Sequence, residues 1–289
     1  MYRLSTGATQ PDMKRSLDPG KKTAGQLRLI FQQLCTVASQ AIDAYPSPDP
    51  EGIHTARKAI KRLRALLRLL PKRPLGKQRY TLNRALRESA NLLRPYRDRE
   101  VLLHNLTQWR EPLRPTRSPV LCRALQTTQG SLQAGTPAPT GPAFENCRKV
   151  FKKRMRSTAQ DLAKLDLHGL RGATLQKAYA QRCKHTQACR QQFLSDPSAT
   201  ALHQWRKRCK DQYYQMQLLR HWLALSTQSI QRIQRLEQQL GDLRDYDLAW
   251  ERIQALPKGA LTLAERRSLR HYIDRQRNQA ILSIVLTRN

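Results

Sequence analysis

The chain has 289 residues, enough for one large domain or two modest ones, and its 53 Lys and Arg against 21 Asp and Glu give a net charge of +32. Because such an excess of one sign repels itself in a folded protein, the composition predicts a polyanionic partner such as nucleic acid, anionic lipid or a phosphate polymer. No run of about 18 apolar residues is present, which argues against a transmembrane helix, and residues 1–20 lack the apolar segment of a secretory signal.

Apolar residues in the first half recur every three or four positions, the spacing of amphipathic helices, and no alternating strand pattern is found. The spacing predicts a first helical bundle over residues 21–110, preceded by a disordered or flexible tail over residues 1–20. Its helices are expected over Thr23–Tyr45, Gly52–Leu70, Tyr80–Leu93 and Asp98–Arg110. Prolines and glycines then accumulate over residues 111–143, which predicts a linker with room for a short helix around Leu121–Leu125.

The helical spacing resumes over residues 144–289, which we interpret as a second helical bundle. Its helices are expected over Phe144–Leu165, Thr174–Leu194, Thr200–Leu225, Ser229–Leu240, Asp245–Leu256 and Leu263–Leu286. The predicted fold class is therefore all-α.

One short pattern occurs in both halves of the chain. The cations that follow His54 and His203 stand at the same offsets: Arg57, Lys58 and Lys61 in the first half, and Arg206, Lys207 and Lys210 in the second. Farther on, Arg97-Asp98 and Arg244-Asp245 follow at nearly the same distance from each histidine. Two linked features in the same order indicate that the two bundles are related to each other.

The segment that begins at His54 is amphipathic, with leucines on one face and cations on the other. On a helical projection the face of His54 carries Arg57, Lys58, Lys61, Arg64 and Arg68, with Arg62 at its border. Like charges at these spacings repel, and no acidic residue lies between Gly52 and Arg87 to relieve them. This pattern therefore predicts an external anion as the compensating charge.

The second row, on the face of His203, carries Arg206, Lys207, Lys210 and Tyr214 and is less charged than the first. Trp205 falls on the opposite, apolar face, so we interpret it as a core residue. Arg97 and Arg244 are further candidates for ligand contacts, whereas Asp98 and Asp245 are interpreted as structural carboxylates near helix starts. Arginine offers a planar fork for phosphate oxygens, and cations on a helical ridge lie about 5–6 Å apart, which suits a linear phosphate chain.

Sequence motifs for catalysis and for metal binding are missing. No phosphate-binding G-x-x-x-x-G-K-[ST] loop and no His/Asp constellation for metal-dependent hydrolysis occurs, and the cysteines lack zinc-ligand spacing. We therefore expect a binding protein that is not an enzyme and that needs no metal ion or cofactor. Aromatic residues form only 6% of the chain, which argues against base stacking. Nucleic-acid binding by the same basic surface stays the alternative, and weak nonspecific binding is expected in either case.

Four segments resemble the two signatures of the CHAD domain family, the conserved histidine α-helical domain: IHTARKAIKRLRALLRLL and ALHQWRKRCKDQYYQMQLL for the first, LLRPYRDREVLL and QLGDLRDYDLA for the second. The resemblance extends from about Thr23 to Leu286, and the second histidine helix departs from the pattern at Asp211 and Tyr213. It implies two pseudo-symmetric bundles of about four helices each, with a central basic cavity or groove. It also implies a stand-alone polyphosphate-binding protein located at polyphosphate granules. The cytoplasm is predicted from the cysteines, which form no C-x-x-C pair and are interpreted as reduced thiols.

Overall fold

The computed structural model describes residues 16–43, 50–73, 75–113, 118–135 and 141–286. These residues form ten α-helices and no strand, so the predicted all-α class is confirmed. The helices are α1 (Thr23–Asp43), α2 (Pro50–Leu67), α3 (Gly76–Leu92), α4 (Arg94–Arg110), α5 (Pro119–Gly135), α6 (Gly141–Ala163), α7 (Gly172–Ser195), α8 (Ala199–Leu219), α9 (Thr227–Gln254) and α10 (Leu263–Leu286). Within the described residues, no helix combines the length and the apolar character that crossing a bilayer requires.

The largest apolar core is formed by α1, α2, α3 and α6, with side chains from α7 and from the end of α8. On α1 and α2 the buried residues recur every three or four positions, for example Leu27, Ile30 and Leu34, then Ile60 and Leu63. Because the leucine face of α2 is buried here, its cationic face is left to meet other helices or a ligand.

Two smaller cores share α9, the longest helix. One of them joins α4, α5, the C-terminal part of α9 and α10, and in it Trp109 stacks on Tyr246 with ring centroids 5.2 Å apart. The other joins parts of α7, α8, α9 and α10, where Phe193 and Trp205 lie 5.3 Å apart. Trp205 is therefore a core residue, as the sequence predicted. The shared packing places α8 and α9 side by side.

Residues 111–143 are helical over most of their described length, which corrects the prediction of a linker there. The expected short helix around Leu121–Leu125 is the longer α5. Pro119 and Gly135 stand at its ends, where a helix tolerates them, and only Gly130 lies inside it. The buried residues recur at helical spacing: Leu121, Ala124, Leu125, Thr128 and Leu132. The high Pro and Gly content concealed this apolar stripe.

The helices on the two sides of this segment share cores, so packing does not divide the chain there. α4, assigned to the first bundle over residues 21–110, packs on α5 and contacts α9. α6, assigned to the second bundle over residues 144–289, packs on α1 and α3. Residues 114–117 and 136–140 lie outside the described part of the chain. The proposed pseudo-symmetry of the two halves stays a prediction.

Two further boundaries differ from the sequence-based expectation. The predicted tail, residues 1–20, is anchored at its end: the Leu17 side chain is fully buried and its N–H donates to the Leu218 carbonyl at 2.8 Å. Residues 1–15 lie outside the described residues. In the second half, one helix, α9, replaces the two expected on either side of Gly241. Gly241 lies inside this unbroken helix. A Cβ at this position would lie 3.4 Å from the Arg206 guanidinium, so the glycine leaves room for the Arg206 side chain.

Candidate anion-binding site

The helices α2 and α8 cross in contact and are joined by hydrogen bonds along the crossing. Gln215 donates to the buried Ala65 carbonyl at 2.9 Å, and Arg62 donates to the Gln217 side chain at 3.1 Å. Arg62, one of the predicted ligand residues, therefore contributes to the helix crossing. The α4 and α9 helices contact α2 and α8 respectively and also each other. Four helices thus bring their polar faces to one place.

A pocket of about 210 Å³ lies between these four helices. We call it the basic pocket, and it is lined by His54, Arg57, Lys58, Lys61, Arg97, Arg206, Lys210, Tyr213, Tyr214, Gln234, Glu237 and Gln238. Six cations and a histidine in this lining face a single carboxylate, that of Glu237. The structure thus brings residues of both predicted cationic rows, together with Arg97, into one concavity.

Lys61 is a cation of the basic pocket that lacks a hydrogen-bonding or ion-pairing partner in the described part of the chain. Within the described residues it forms no hydrogen bond and no ion pair, although its side chain is largely enclosed. Burial, followed by the nearby charges of Lys210 and Arg57, lowers the pKa of the Lys61 amine well below its usual value. Lys61 is thus an amine without a hydrogen-bonded or ion-paired acceptor among the described residues, although the carboxylates of Glu237 and Asp245 act on it electrostatically.

Two arginines of the pocket also have hydrogen-bonding capacity that the described residues leave unused. Arg57 donates from Nη1 to the Ala90 carbonyl, but its buried Nε has no partner there. The buried Nε of Arg206 is likewise without a partner in the described part of the chain. Burial lowers the pKa of Arg57 to about 10, which still leaves it a cation at neutral pH. Unused donors in a cationic pocket favour an acceptor from outside the protein.

Glu237 is the internal counterion of the basic pocket. Its carboxylate accepts a short hydrogen bond from the Lys210 ammonium, and both side chains are mostly buried. Burial on its own would raise the pKa of Glu237, but Lys210 and Arg206 together lower it, so the group is ionised at neutral pH. This pair occupies Lys210, whereas Lys61 acts on Glu237 electrostatically without an ion pair.

The two histidines that head the predicted rows differ in position. His54 lines the basic pocket, and burial, with Arg97 and Lys61 adding to it, lowers its pKa to about 3. It is therefore neutral in the free protein. His203 is exposed and is not among the residues that line the pocket. The pKa of His203 is also lowered, first by the partial desolvation of its ring and then by the charge of Arg244.

The remaining cations of the two rows lie on another side of α8. We call this group the Asp211 cluster, and it comprises Arg64, Arg68, Arg182, Lys207, Arg208 and Asp211. Arg68 donates from Nη1 to the Asp211 carboxylate at 2.6 Å. Arg64 donates to the Asn83 side chain at 3.1 Å, and Arg182 donates to the Arg68 carbonyl at 2.9 Å. Lys207 is exposed. The predicted residues Arg64, Arg68 and Lys207 thus lie apart from the basic pocket.

Arg244 and the carboxylates near it have structural partners. Arg244 donates to the Glu251 carboxylate at 2.9 Å and does not line the basic pocket. Asp98, in the second turn of α4, accepts from Arg94 at 3.1 Å. Asp245 lies in the middle of α9, so its interpretation as a helix-start residue is wrong. Burial raises the pKa of Asp245, while Arg206 and Arg97 oppose the rise, which ties it electrostatically to the pocket.

Four pocket residues were missed by the sequence analysis: Tyr213, Gln234, Glu237 and Gln238. The three on α9 share a polar face at spacings of three and one, a pattern that by itself is typical of any exposed helix. Tyr213 follows the cationic row on α8, at a position where this helix departs from the family pattern, so the pattern did not identify it as a site residue. Their role depends on α9 lying beside α8, which the sequence does not specify.

Comparisons with known proteins support a single family. A family model described as CHAD domain matches residues 26–254. Among solved structures, the crystal structure of the CHAD domain from the plant Ricinus communis is similar, with a TM-score of 0.61 and 19% identity over 91% of this chain and 89% of that one. No curated protein matches the sequence. In the described residues, no group of three or more His, Cys, Asp or Glu side chains is placed to hold a metal ion.

Proposed function

Because the chain belongs to the CHAD domain family, we propose that it binds inorganic polyphosphate in the basic pocket. The observation that carries the proposal is the charge balance of that pocket, whose lining holds six basic side chains and one carboxylate, with Lys61 forming no hydrogen bond or ion pair with any described residue. Burying unmatched cations costs free energy, and a ligand that supplies negative charge removes that cost.

The lining suits a ligand made of phosphate units. Arg97 and Arg206 bring guanidinium groups to the pocket from α4 and α8, and Lys61 adds a point charge from α2. The neutral ring of His54 supplies one hydrogen-bond donor without adding to the repulsion. Successive phosphates of one chain can therefore contact α2, α4 and α8 together, and each contact strengthens the next.

The alternative is that the same surface binds nucleic acid. Single-stranded binding uses open aromatic platforms on which bases stack. Tyr214 is buried, with only 3% of its surface exposed, and its ring lies 5.4 Å from that of Tyr213. The Tyr214 ring is therefore packed inside the protein and is not open for a base to stack on it, which favours a ligand that has no bases.

Titration with phosphates of increasing length tests the proposal. We expect affinity per molecule to rise from pyrophosphate through short to long polyphosphate, because more phosphates engage at once. Affinity should also fall steeply with salt as counterions are released. Equal affinity for all lengths contradicts the proposal, as does displacement of polyphosphate by single-stranded or duplex nucleic acid at equal phosphate concentration.

We further propose that binding is the whole activity and that the protein acts in the cytoplasm, at polyphosphate granules. Incubation of the pure protein with polyphosphate, with and without magnesium, should release no orthophosphate. A fluorescent fusion should coincide with polyphosphate staining in cells. Orthophosphate release contradicts the first statement, and a diffuse fusion in granule-containing cells contradicts the second.

A further inference from the structure

Lys61 differs from the other two lysines of the basic pocket. Lys210 donates to Glu237, and Lys58 is exposed to solvent. Lys61 is largely enclosed, lines the pocket and forms no hydrogen bond or ion pair with any described residue. Its charged neighbours are mostly cations, and among them Lys210 and Arg57 lower its pKa the most.

These surroundings favour the neutral form of the Lys61 amine. Burial removes the water that stabilises an ammonium, and flanking cations repel the added charge, so both effects lower the pKa of Lys61. A neutral amine carries a free electron pair and is a nucleophile. Lysines become nucleophilic in proteins by the same combination of desolvation and a neighbouring cation.

The pocket also selects the reagent that such an amine would meet. Small molecules with a phosphate group are attracted to Arg97, Arg206 and Lys210, which share the lining with Lys61. An acyl phosphate carries a phosphate group beside an activated carbonyl carbon. Binding the phosphate to the guanidinium groups holds that carbonyl within the pocket, next to the amine.

We propose that Lys61 is an acylation site whose reagents are small acyl phosphates. The Nζ electron pair attacks the carbonyl carbon, and the bond from that carbon to the phosphate oxygen breaks. Orthophosphate leaves with the bonding electrons, and the proton lost from nitrogen passes to it or to water. The products are an amide at Lys61 and orthophosphate, so the reaction needs no oxidant, reductant or further reactant.

Acylation replaces the Lys61 amine, which a bound polyanion would protonate, with an amide that cannot take up a proton to become a cation. This consequence rests on the proposed function, because it predicts weaker polyphosphate binding by the acylated protein. The acylation step itself depends only on the amine and on the cations around it. Metabolic acyl phosphates would in that way adjust how much polyphosphate the protein holds.

Peptide mass spectrometry of the full chain during incubation with acetyl phosphate tests the proposal. We expect Lys61 to be acetylated severalfold faster than the exposed Lys72 or Lys258, because burial and the neighbouring cations favour the neutral, nucleophilic form of its amine. Excess orthophosphate should slow acetylation at Lys61 and leave the two exposed lysines unchanged. Equal rates at Lys61, Lys72 and Lys258 overturn the proposal.

A matched pair of variants on α8 separates docking in the pocket from general charge. Arg206→Gln removes a cation that lines the basic pocket, whereas Arg208→Gln removes one from the Asp211 cluster. Acetylation of Lys61 should slow severalfold in Arg206→Gln and stay unchanged in Arg208→Gln, with circular dichroism confirming the fold of both. Equal slowing in both variants, or in neither, overturns the proposal.

Polyphosphate titration of the same preparation keeps the two ideas apart. Preferential acetylation of Lys61 in a protein that does not bind polyphosphate supports the acylation site and contradicts the proposed function. If the protein binds polyphosphate tightly but Lys61 reacts no faster than Lys72, the proposed function is supported and the acylation site is contradicted. Protection of Lys61 by bound polyphosphate supports both.

Discussion

The basic pocket and the Asp211 cluster both take cations from the α2 region and from α8, yet they differ in how the protein compensates those cations. In the Asp211 cluster, Arg68 has a carboxylate at 2.6 Å and shares the Asn83 side chain with Arg64. In the basic pocket, Glu237 is committed to Lys210, and Lys61 has no partner within the described residues. Arg64, Arg68 and Arg182 thus have acceptors from the protein, although the buried Nε of Arg208 has none in the described part of the chain. In the basic pocket, Lys61 and the buried Nε atoms of Arg57 and Arg206 have no acceptor among the described residues.

The difference comes from two adjacent residues on α8. Lys210 and Asp211 point in directions about 100° apart on the helix. Lys210 faces α9 and the basic pocket, whereas Asp211 faces Arg68, the residue that follows α2. Cationic density therefore does not by itself identify a ligand site. The distinguishing property is whether the protein supplies acceptors for the cations that it gathers.

The largest effect that we expect is the loss of stability when Asp211 is changed to Asn. The variant leaves Arg68 mostly buried without its carboxylate, and breaking such a pair costs about 3 kcal/mol. Urea denaturation should show this fall in the free energy of unfolding, and added orthophosphate should not restore it. If orthophosphate fully restored the stability, the Asp211 cluster would also be an anion site, and the proposed difference between it and the basic pocket would be wrong.

Changing Lys61 to Met should weaken binding of long polyphosphate by about 30-fold, the equivalent of about 2 kcal/mol for a lost charged contact. The matched variant Lys207→Met, in the Asp211 cluster, should lose less than about threefold, in the range of an exposed charge. Isothermal titration calorimetry measures both. Similar losses from the two variants contradict a defined pocket and indicate binding by diffuse charge.

The same Lys61→Met variant should be more stable than the unmodified protein in the absence of ligand. It removes a largely enclosed amine that has no partner among the described residues, and a flexible apolar chain of similar length takes its place. We expect a gain of about 1 kcal/mol in thermal or urea denaturation, within the usual range for one substitution. A loss of stability would mean that Lys61 has a structural role.

Changing Glu237 to Gln should raise the affinity for pyrophosphate by about tenfold, because it removes the one anion of the lining and frees Lys210. The control is Glu251→Gln, the same change on the same helix, at a residue that pairs with Arg244 outside the pocket. Fluorescence or calorimetric titration compares the two. An equal gain in both variants means that net charge, and not the position of Glu237, sets the affinity.

The sequence predicted the helical class and many of the pocket residues because both depend on local periodicity. The cationic face of α2 and the repeated histidine pattern led to His54, Lys61, Arg206 and Lys210 before their arrangement was known. A helical projection gives the direction of a side chain but not the helix that packs over it. Arg64 shares a face with Lys61 in sequence, yet it meets Asn83 of α3.

Features that depend on distant packing could not be obtained in this way. The role of Glu237 arises only because α9 lies against α8. Gly241 indicates a helix end in sequence, but in the structure it admits the Arg206 side chain within an unbroken helix. The chain around α5 has the composition of a linker, and its buried stripe is recognised only once α4 and α10 are seen to cover it.

The smallest effect that we expect is the pH dependence of binding, which again separates the pocket from the cluster. In the free protein the pKa of His54 is about 3, so its ring lacks a proton that a bound polyanion would favour, and the pKa of Lys61 is lowered in the same direction. The complex then holds more protons than the free protein, and affinity falls as pH rises.

Between pH 6 and pH 9 we expect a loss of affinity of about threefold, since one coupled group changes affinity by at most about tenfold for each pH unit. Calorimetry in two buffers of different ionisation enthalpy measures the proton uptake directly. Lys61→Met should remove most of this uptake at pH 8, and His54→Gln should remove what is left near pH 6, whereas Lys207→Met should leave it unchanged. An uptake that persists in Lys61→Met but disappears in Lys207→Met would place the responding proton in the Asp211 cluster and reverse the assignment of the two regions.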